Sequence, residues 1–143
     1  MPERSEHESK IDENDRFVSF IMARRKSSDD FNSWISVVLF YKIVHFTEAM
    51  LADVNEHASS HSERENFLKE DVIYPNYGKR DYKRMWKSYI TSKDLCNRSR
   101  YFCIYPTCED IGQENEDVEQ YIRLAARLLP KHIKPGCITK RNR

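Results

Sequence analysis

The chain has few of the residues that interrupt regular secondary structure, with three glycines and five prolines among 143 residues. Folds built from many short strands need frequent turns, so this scarcity disfavours an all-β protein. Charged residues make up 33% of the chain and hydrophobic residues 39%. These features favour helices, and the length fits one domain with a modest core.

An excess of charge of one sign is also missing, because 24 lysines and arginines nearly balance 23 acidic residues. With a net charge of +1, the chain has no general attraction for nucleic acid, and phosphate binding would need a local basic patch. No apolar run approaches the ~20 residues that cross a bilayer, and the first ten residues lack an apolar signal segment. We therefore expect a soluble, cytoplasmic protein that does not bind membranes.

The four cysteines form no C-x-x-C pair, which disfavours a zinc site. The sequence also lacks a glycine-rich phosphate loop and an H-E-x-x-H motif, so we expect no metal or other cofactor. Cys103 and Cys108 flank a short turn and could form a disulfide, although reduced thiols are favoured in the cytoplasm.

Apolar residues at helical spacing predict an all-α fold, an up-and-down antiparallel bundle of about five helices. We place this bundle at residues 11–133, after a disordered segment at 1–10 and before a basic tail at 134–143. The helix within residues 31–54 is apolar on nearly every side, which is typical of a central helix covered by its neighbours or by a second subunit.

Turn and cap signals divide the second half of the chain. Ser60 and Glu63 fit an S-x-x-E capping box, which predicts the start of a short helix. The stretch "IYPTCEDIG" at residues 104–112 predicts a loop. We therefore expect the last helix to run from about Asn115 to Leu129, where Pro130 ends it.

Three segments in this order carry a resemblance to a known family: "WISVVLFYKIVHFTEAMLA", "HASSHSERENFLK" and "YKRMWKSYITSKDLCNRSRYF". Together they resemble the HEPN domains (higher eukaryotes and prokaryotes nucleotide-binding). The closing "VEQYIRLAARLLPKHI" is similar to the last helix of that family, so the resemblance covers residues 15–133. The positions that match its motifs are Phe40, Tyr41, His45, Ala49, Leu51, Ser60, His61, Arg64, Arg100 and Tyr101.

The resemblance implies a four- or five-helix bundle, commonly a homodimer, that handles RNA or nucleotides. It further implies a place in a toxin–antitoxin system or beside a nucleotidyltransferase-type partner protein. Many members resemble metal-independent ribonucleases with an R-x4–6-H motif. Arg127 and His132 match that motif and are the candidate catalytic pair, since a histidine can accept the 2′-hydroxyl proton while an arginine stabilises the phosphate. Because Pro130 separates the two residues and Leu128 replaces the usual polar residue, binding without cleavage is the leading hypothesis, and cleavage is the alternative.

Two groups of residues are candidates for phosphate binding. His61 and Arg64 lie one turn apart at a predicted helix start, where free N–H groups attract anions; the simpler interpretation is that His61 packs its loop onto a neighbouring helix. A second group should form an outer strip on the following helix, although a solvated surface would have the same pattern. The strip contains Arg80, Arg84 and Lys87, with Lys83 beside it.

Besides RNA binding and RNA cleavage, a third hypothesis is a structural or regulatory homodimer that binds no nucleic acid.

Overall fold

The computed structural model describes residues 2–25, 28–53, 55–66, 68, 79–103 and 105–128, apart from the side chains of residues 79, 82 and 128. Within these ranges the chain forms five helices and no strand, which confirms the predicted all-α bundle of about five helices. The helices are α1 (Arg4–Arg25), α2 (Asn32–Ala52), α3 (His61–Asn66), α4 (Lys79–Tyr101) and α5 (Cys108–Leu128). The predicted His132 and the basic tail lie outside the described residues.

The central helix is α2, as its composition predicted. Ile35, Leu39 and Ile43 are almost fully buried, and α2 packs against α1, α4 and α5. By length and composition alone, α2 is also apolar enough to cross a membrane, but most of its surface is buried inside the bundle. That burial is the pattern of a core helix.

The helix α4 turns its apolar side inward, with Met85, Tyr89 and Cys96 buried. On α5, Val118 and Tyr121 are buried in the same core. The helices α2, α4 and α5 each pack against the other two, whereas α1 packs mainly along α2. The core of the domain is therefore a three-helix arrangement with α1 on its side.

The first helix begins at Arg4, although the sequence predicted a disordered segment over residues 1–10. His7 is 6% exposed and its imidazole contacts α2, and Arg4 forms ion pairs with Glu8 and Asp53. These contacts anchor the first turns of α1 to the end of α2. The sequence did not reveal these contacts, because residues 1–10 are polar and the single buried residue described among them, His7, gives no apolar pattern.

The last helix begins at Cys108, seven residues before the predicted start, so the predicted loop is wrong from Cys108 onward. A reciprocal cap explains the earlier start: the Thr107 N–H donates to Asp110 Oδ2 at 2.9 Å, and the Asp110 N–H donates to Thr107 Oγ1 at 3.1 Å. Such a cap satisfies donors that the first helical turn leaves free. Cys103 and Cys108 form no disulfide in the described part of the chain.

A carboxyl group of α5 lies inside the core. Glu114 on α5 is 2% exposed, and its Oε2 accepts a hydrogen bond from the Ser92 hydroxyl of α4 at 2.8 Å. Burial raises the pKa of this carboxyl from its ordinary 4.5 to about 8, and the serine hydroxyl offsets only part of the effect. Glu114 is therefore protonated at neutral pH.

Candidate functional site

The first candidate site is a groove between α4 and α5. One half, with a volume of about 300 Å³, is lined by side chains that include Arg84, Arg123 and Arg127. The other half, of about 420 Å³, contains Lys87. The two halves form one depression, since both are lined by Arg84 and Gln120.

Helical spacing places these residues in the groove. Arg84, Lys87 and Thr91 follow one another along one face of α4, and Gln120, Arg123 and Arg127 do the same on α5. Because the two helices run antiparallel side by side, both rows of side chains border the same space.

The groove has an excess of positive charge. Among the described residues that line it, four cationic side chains face two carboxylates, those of Asp81 and Asp117. Arg127 Nη2 donates to Asp81 Oδ2 at 2.7 Å. Within the described residues, the exposed Arg84, Lys87 and Arg123 form no ion pair, so their charges are available to an anion.

The predicted strip of α4 is thus divided. Arg84 and Lys87 line the groove, whereas Arg80 and Lys83 are exposed on α4 outside its lining. The structure brings Arg127 into the same groove and adds Arg123, which sequence reasoning missed. The four-residue spacing of Arg123 and Arg127 on one helix was the available signal.

A different depression, between α1, α2 and α5, has the opposite character. Its volume is about 440 Å³, and its cationic residues are Arg4 and Lys42. Both of these cations are already paired with carboxylates, and acidic side chains outnumber them. This depression is therefore unsuited to phosphate. Its acidic residues are Glu8, Asp12, Asp15 and Glu119.

The second candidate site is a polar cluster centred on a buried ion pair between α2 and α3. Arg64 Nη2 lies 2.9 Å from Glu48 Oε1, and both side chains are nearly inaccessible to solvent, with 6% and 3% exposed. The other carboxylate oxygen of Glu48 accepts a hydrogen bond from His57 Nδ1 at 3.0 Å. The charge of Arg64 is therefore neutralised inside the protein.

His61, which the sequence singled out, packs beside this pair. Arg64 Nη1 lies 3.0 Å from His61 Nδ1, and because a guanidinium can only donate, Nδ1 must be the acceptor. The proton of the neutral imidazole then sits on Nε2. Burial and the neighbouring Arg64 charge lower the pKa of His61, which favours this neutral form. Its ring also lies against Phe40 and Tyr41 of α2.

A pair of histidines completes the cluster. His7 Nδ1 of α1 and His45 Nδ1 of α2 lie 3.1 Å apart, so one nitrogen donates and the other accepts. Burial lowers the pKa of both imidazoles, and the charge of His7 further lowers the pKa of His45. His45 is therefore hydrogen-bonded across to α1.

The His–Glu–Arg cluster differs from a metal centre. Among the described residues, no group of three or more histidine, cysteine, aspartate or glutamate side chains is arranged to hold a metal ion. In this cluster one hydrogen bond joins α1 to α2, and a second set joins α2 to α3 and the loop before it. Its residues are His7, His45, Glu48, His57, His61 and Arg64.

Comparisons of this chain with protein-family models, with curated proteins and with solved structures find no match.

Proposed function

We propose that this domain is a HEPN-like RNA-binding module whose α4–α5 groove holds the phosphate backbone. The observation that carries the proposal is the set of cations in one groove, three of which form no ion pair within the described part of the chain: Arg84, Lys87 and Arg123. Exposed cations without carboxylate partners can replace the counterions of a polyanion, and the release of those counterions drives binding.

The lining of the groove indicates what part of the RNA it would contact. Among the described residues, its border contains Asp81, Asp117 and Leu124 and no aromatic side chain, and it is otherwise formed by arginine, lysine, glutamine, serine and threonine side chains. Such residues hydrogen-bond to phosphate and sugar oxygens, which carry no sequence information. The groove alone would therefore bind RNA of any sequence.

The test is retardation of a labelled RNA oligonucleotide by the purified protein in the presence of EDTA. Three or four phosphate contacts predict a slope of about −2 to −3 when log affinity is plotted against log salt concentration. Arg84→Glu and Arg123→Glu should weaken binding and make that slope shallower by roughly 0.7 for each phosphate that the protein no longer neutralises.

Arg16→Glu is the matched control, because Arg16 is an exposed arginine on α1, outside the groove. It makes the same change in net charge. Equal loss of binding in Arg84→Glu, Arg123→Glu and Arg16→Glu would show that RNA binding depends only on the net charge of the protein. A lack of retardation at low salt would refute RNA binding.

RNA cleavage is the second candidate function. Because Arg127 of the candidate catalytic pair lies in the groove, the groove is favoured over the rest of the surface as the place of cleavage. The same gels would reveal metal-independent cleavage that is lost in Arg127→Ala and His132→Ala. Retardation of the RNA without cleavage would leave RNA binding as the function of the domain. The homodimer, the nucleotidyltransferase-type partner and the cytoplasmic location stay predictions of the sequence.

A further inference from the structure

Among the described residues, five aromatic side chains are exposed at one end of the bundle, where α1 and α4 finish and α2 and α5 begin. Their exposed fractions run from 61% to 80%, although aromatic rings are usually buried for the large apolar area they offer. None of them belongs to the core or to the α4–α5 groove. The residues are Phe31 (61%), Trp34 (63%), Tyr101 (64%), Phe102 (70%) and Tyr105 (80%).

Hydrogen bonds tie the chain segments of this aromatic end together. Asn32 Nδ2 donates to the carbonyl oxygen of Pro106 at 2.8 Å. The Cys108 N–H donates to Asp29 Oδ1 at 2.9 Å. The segments that carry Phe31 and Tyr105 are therefore held side by side by the fold.

The backbone at this end adopts conformations that L-residues seldom use. Phe31 has a φ of 65° and Cys103 a φ of 52°, both in the left-handed region that costs a non-glycine residue free energy. Phe31 adjoins the first turn of α2, and Cys103 follows Phe102 directly. The fold therefore accepts a local cost at the two places where aromatic rings are presented to solvent.

Arginines accompany the rings. The Arg100 guanidinium lies 5.0 Å from the Tyr101 ring centre, and the Arg24 guanidinium lies 3.5 Å from the Phe20 ring centre. Arg98 is exposed on the last turns of α4, where it forms a solvent-exposed ion pair with Asp94 at 3.7 Å. Of the nearby carboxylates, Asp29 and Asp110 are engaged with backbone N–H groups.

This combination of exposed rings and arginines matches the surfaces that bind unpaired nucleotides, because bases stack on aromatic faces while cations hold the phosphates. Aromatic and arginine side chains are also enriched where two protein chains dock. The cationic α4–α5 groove beside this end is what favours a nucleic acid over a protein partner.

The aromatic end is also continuous with the groove. Arg98 lies fourteen residues after Arg84, close to four full turns, so both project from nearly the same face of α4. The distance along α4 from Arg84 to Tyr101 is about 26 Å. A single strand of about twelve nucleotides can span such a distance, which is within the usual range of site sizes.

We infer that the RNA bound by this domain is single-stranded, and that its unpaired bases stack on the aromatic end while its phosphates follow α4 into the groove. This inference rests on the proposed RNA-binding function and adds the class of RNA to it. Paired bases are stacked inside a duplex and cannot offer their faces to the protein.

The experiment uses the fluorescence of Trp34, one of only two tryptophans in the chain. In a Trp86→Phe variant, Trp34 is the only emitter, and a single-stranded uridine oligonucleotide of about twelve nucleotides should quench it. A duplex of equal length and an abasic ribose-phosphate oligomer should quench it far less. Should Trp86→Phe fail to fold, the same titration of the wild type and of Trp34→Phe isolates the contribution of Trp34.

Affinity gives the second readout. Trp34→Ala and Tyr105→Ala should each weaken binding of the single strand roughly ten- to a hundred-fold, as the loss of one stacked base would. Phe17→Ala, which removes a partly exposed ring of α1, should leave affinity unchanged.

The outcomes separate this inference from the proposed function. Binding that depends on Arg84 but leaves Trp34 unquenched, with unchanged affinity in Trp34→Ala and Tyr105→Ala, overturns the inference and leaves the binding function intact. Absence of binding at low salt overturns both. A homodimer that dissociates in Trp34→Ala, with RNA affinity unchanged, would identify the aromatic end as a contact between copies and would also overturn the inference.

Discussion

Glu114 provides the sharpest test of the core, through the substitution Glu114→Gln. In the unfolded chain its carboxyl should lose its proton near the ordinary pKa of 4.5, whereas in the folded protein burial raises the pKa to about 8. Folding between these values therefore requires the uptake of a proton. Glutamine has nearly the same shape as the protonated acid and needs no proton.

The sign and size of the effect follow from linkage. Because the folded pKa lies above the unfolded one, the contribution of Glu114 to stability is complete below about pH 4.5 and is lost as the pH rises towards 8. Each pH unit corresponds to about 1.4 kcal/mol, so at pH 7 the proton uptake costs about 3 kcal/mol. Glu114→Gln should remove this cost at pH 7 and change stability little at pH 4.5. For a chain of this length, the expected gain in Tm at pH 7 is on the order of 6–12 °C.

Urea unfolding is followed by circular dichroism at several pH values from about 4.5 to 8. It measures the difference in the free energy of unfolding between the wild type and Glu114→Gln. The comparison cancels the contributions of the histidines, which both proteins share. Glu116→Gln is the control, because Glu116 is exposed on the same helix. A difference between wild type and Glu114→Gln that stays constant over this range would show that Glu114 is ionised in the folded protein, and the reasoning would fail.

Three further predictions concern the His–Glu–Arg cluster and the helix cap. The pKa values of His7 and His45 are lowered by burial, so both histidines should destabilise the folded protein as the pH drops below about 6.5, against the opposite effect of Glu114. The Tm of His7→Gln should therefore rise relative to that of the wild type as the pH is lowered from 7 to 5. Arg64→Met would leave the buried carboxylate of Glu48 without its cationic partner and should cost about 3–5 kcal/mol in urea unfolding, and a loss below ~1 kcal/mol would contradict the pairing. Thr107→Ala removes a cap of α5 and should cost ~1 kcal/mol by the same measurement, whereas an unchanged midpoint would show that the cap contributes nothing.

Local sequence signals predicted the elements that depend on local physics. The Glu63 N–H donates to Ser60 Oγ at 3.1 Å, as the capping box requires, and Met85 and Tyr89 are buried as their spacing on α4 indicates. The start of α5 was missed, although its T-x-x-D cap is equally local, because Pro106 and Gly112 were interpreted as loop residues.

The candidate sites depended on packing between helices, which one sequence does not show. Arg84 was identified as one of a row of cations on α4, but only the position of α5 beside α4 reveals that Arg123 shares its groove. In the same way, His7 became part of the cluster only because α1 extends to Arg4 and lies against α2. The pairing of Arg64 with Glu48 joins residues sixteen positions apart on two helices, and no spacing rule connects them.

The lateral position of α1 has a consequence for the order in which the protein opens. Since α1 packs mainly on α2 and the other long helices pack on one another, α1 can detach while the three-helix core stays folded. Its amide protons should then exchange with solvent through a partial opening of lower free energy than global unfolding. That opening would uncover one side of α2, the most apolar helix described, so the partly open state is the form of this protein most prone to aggregate.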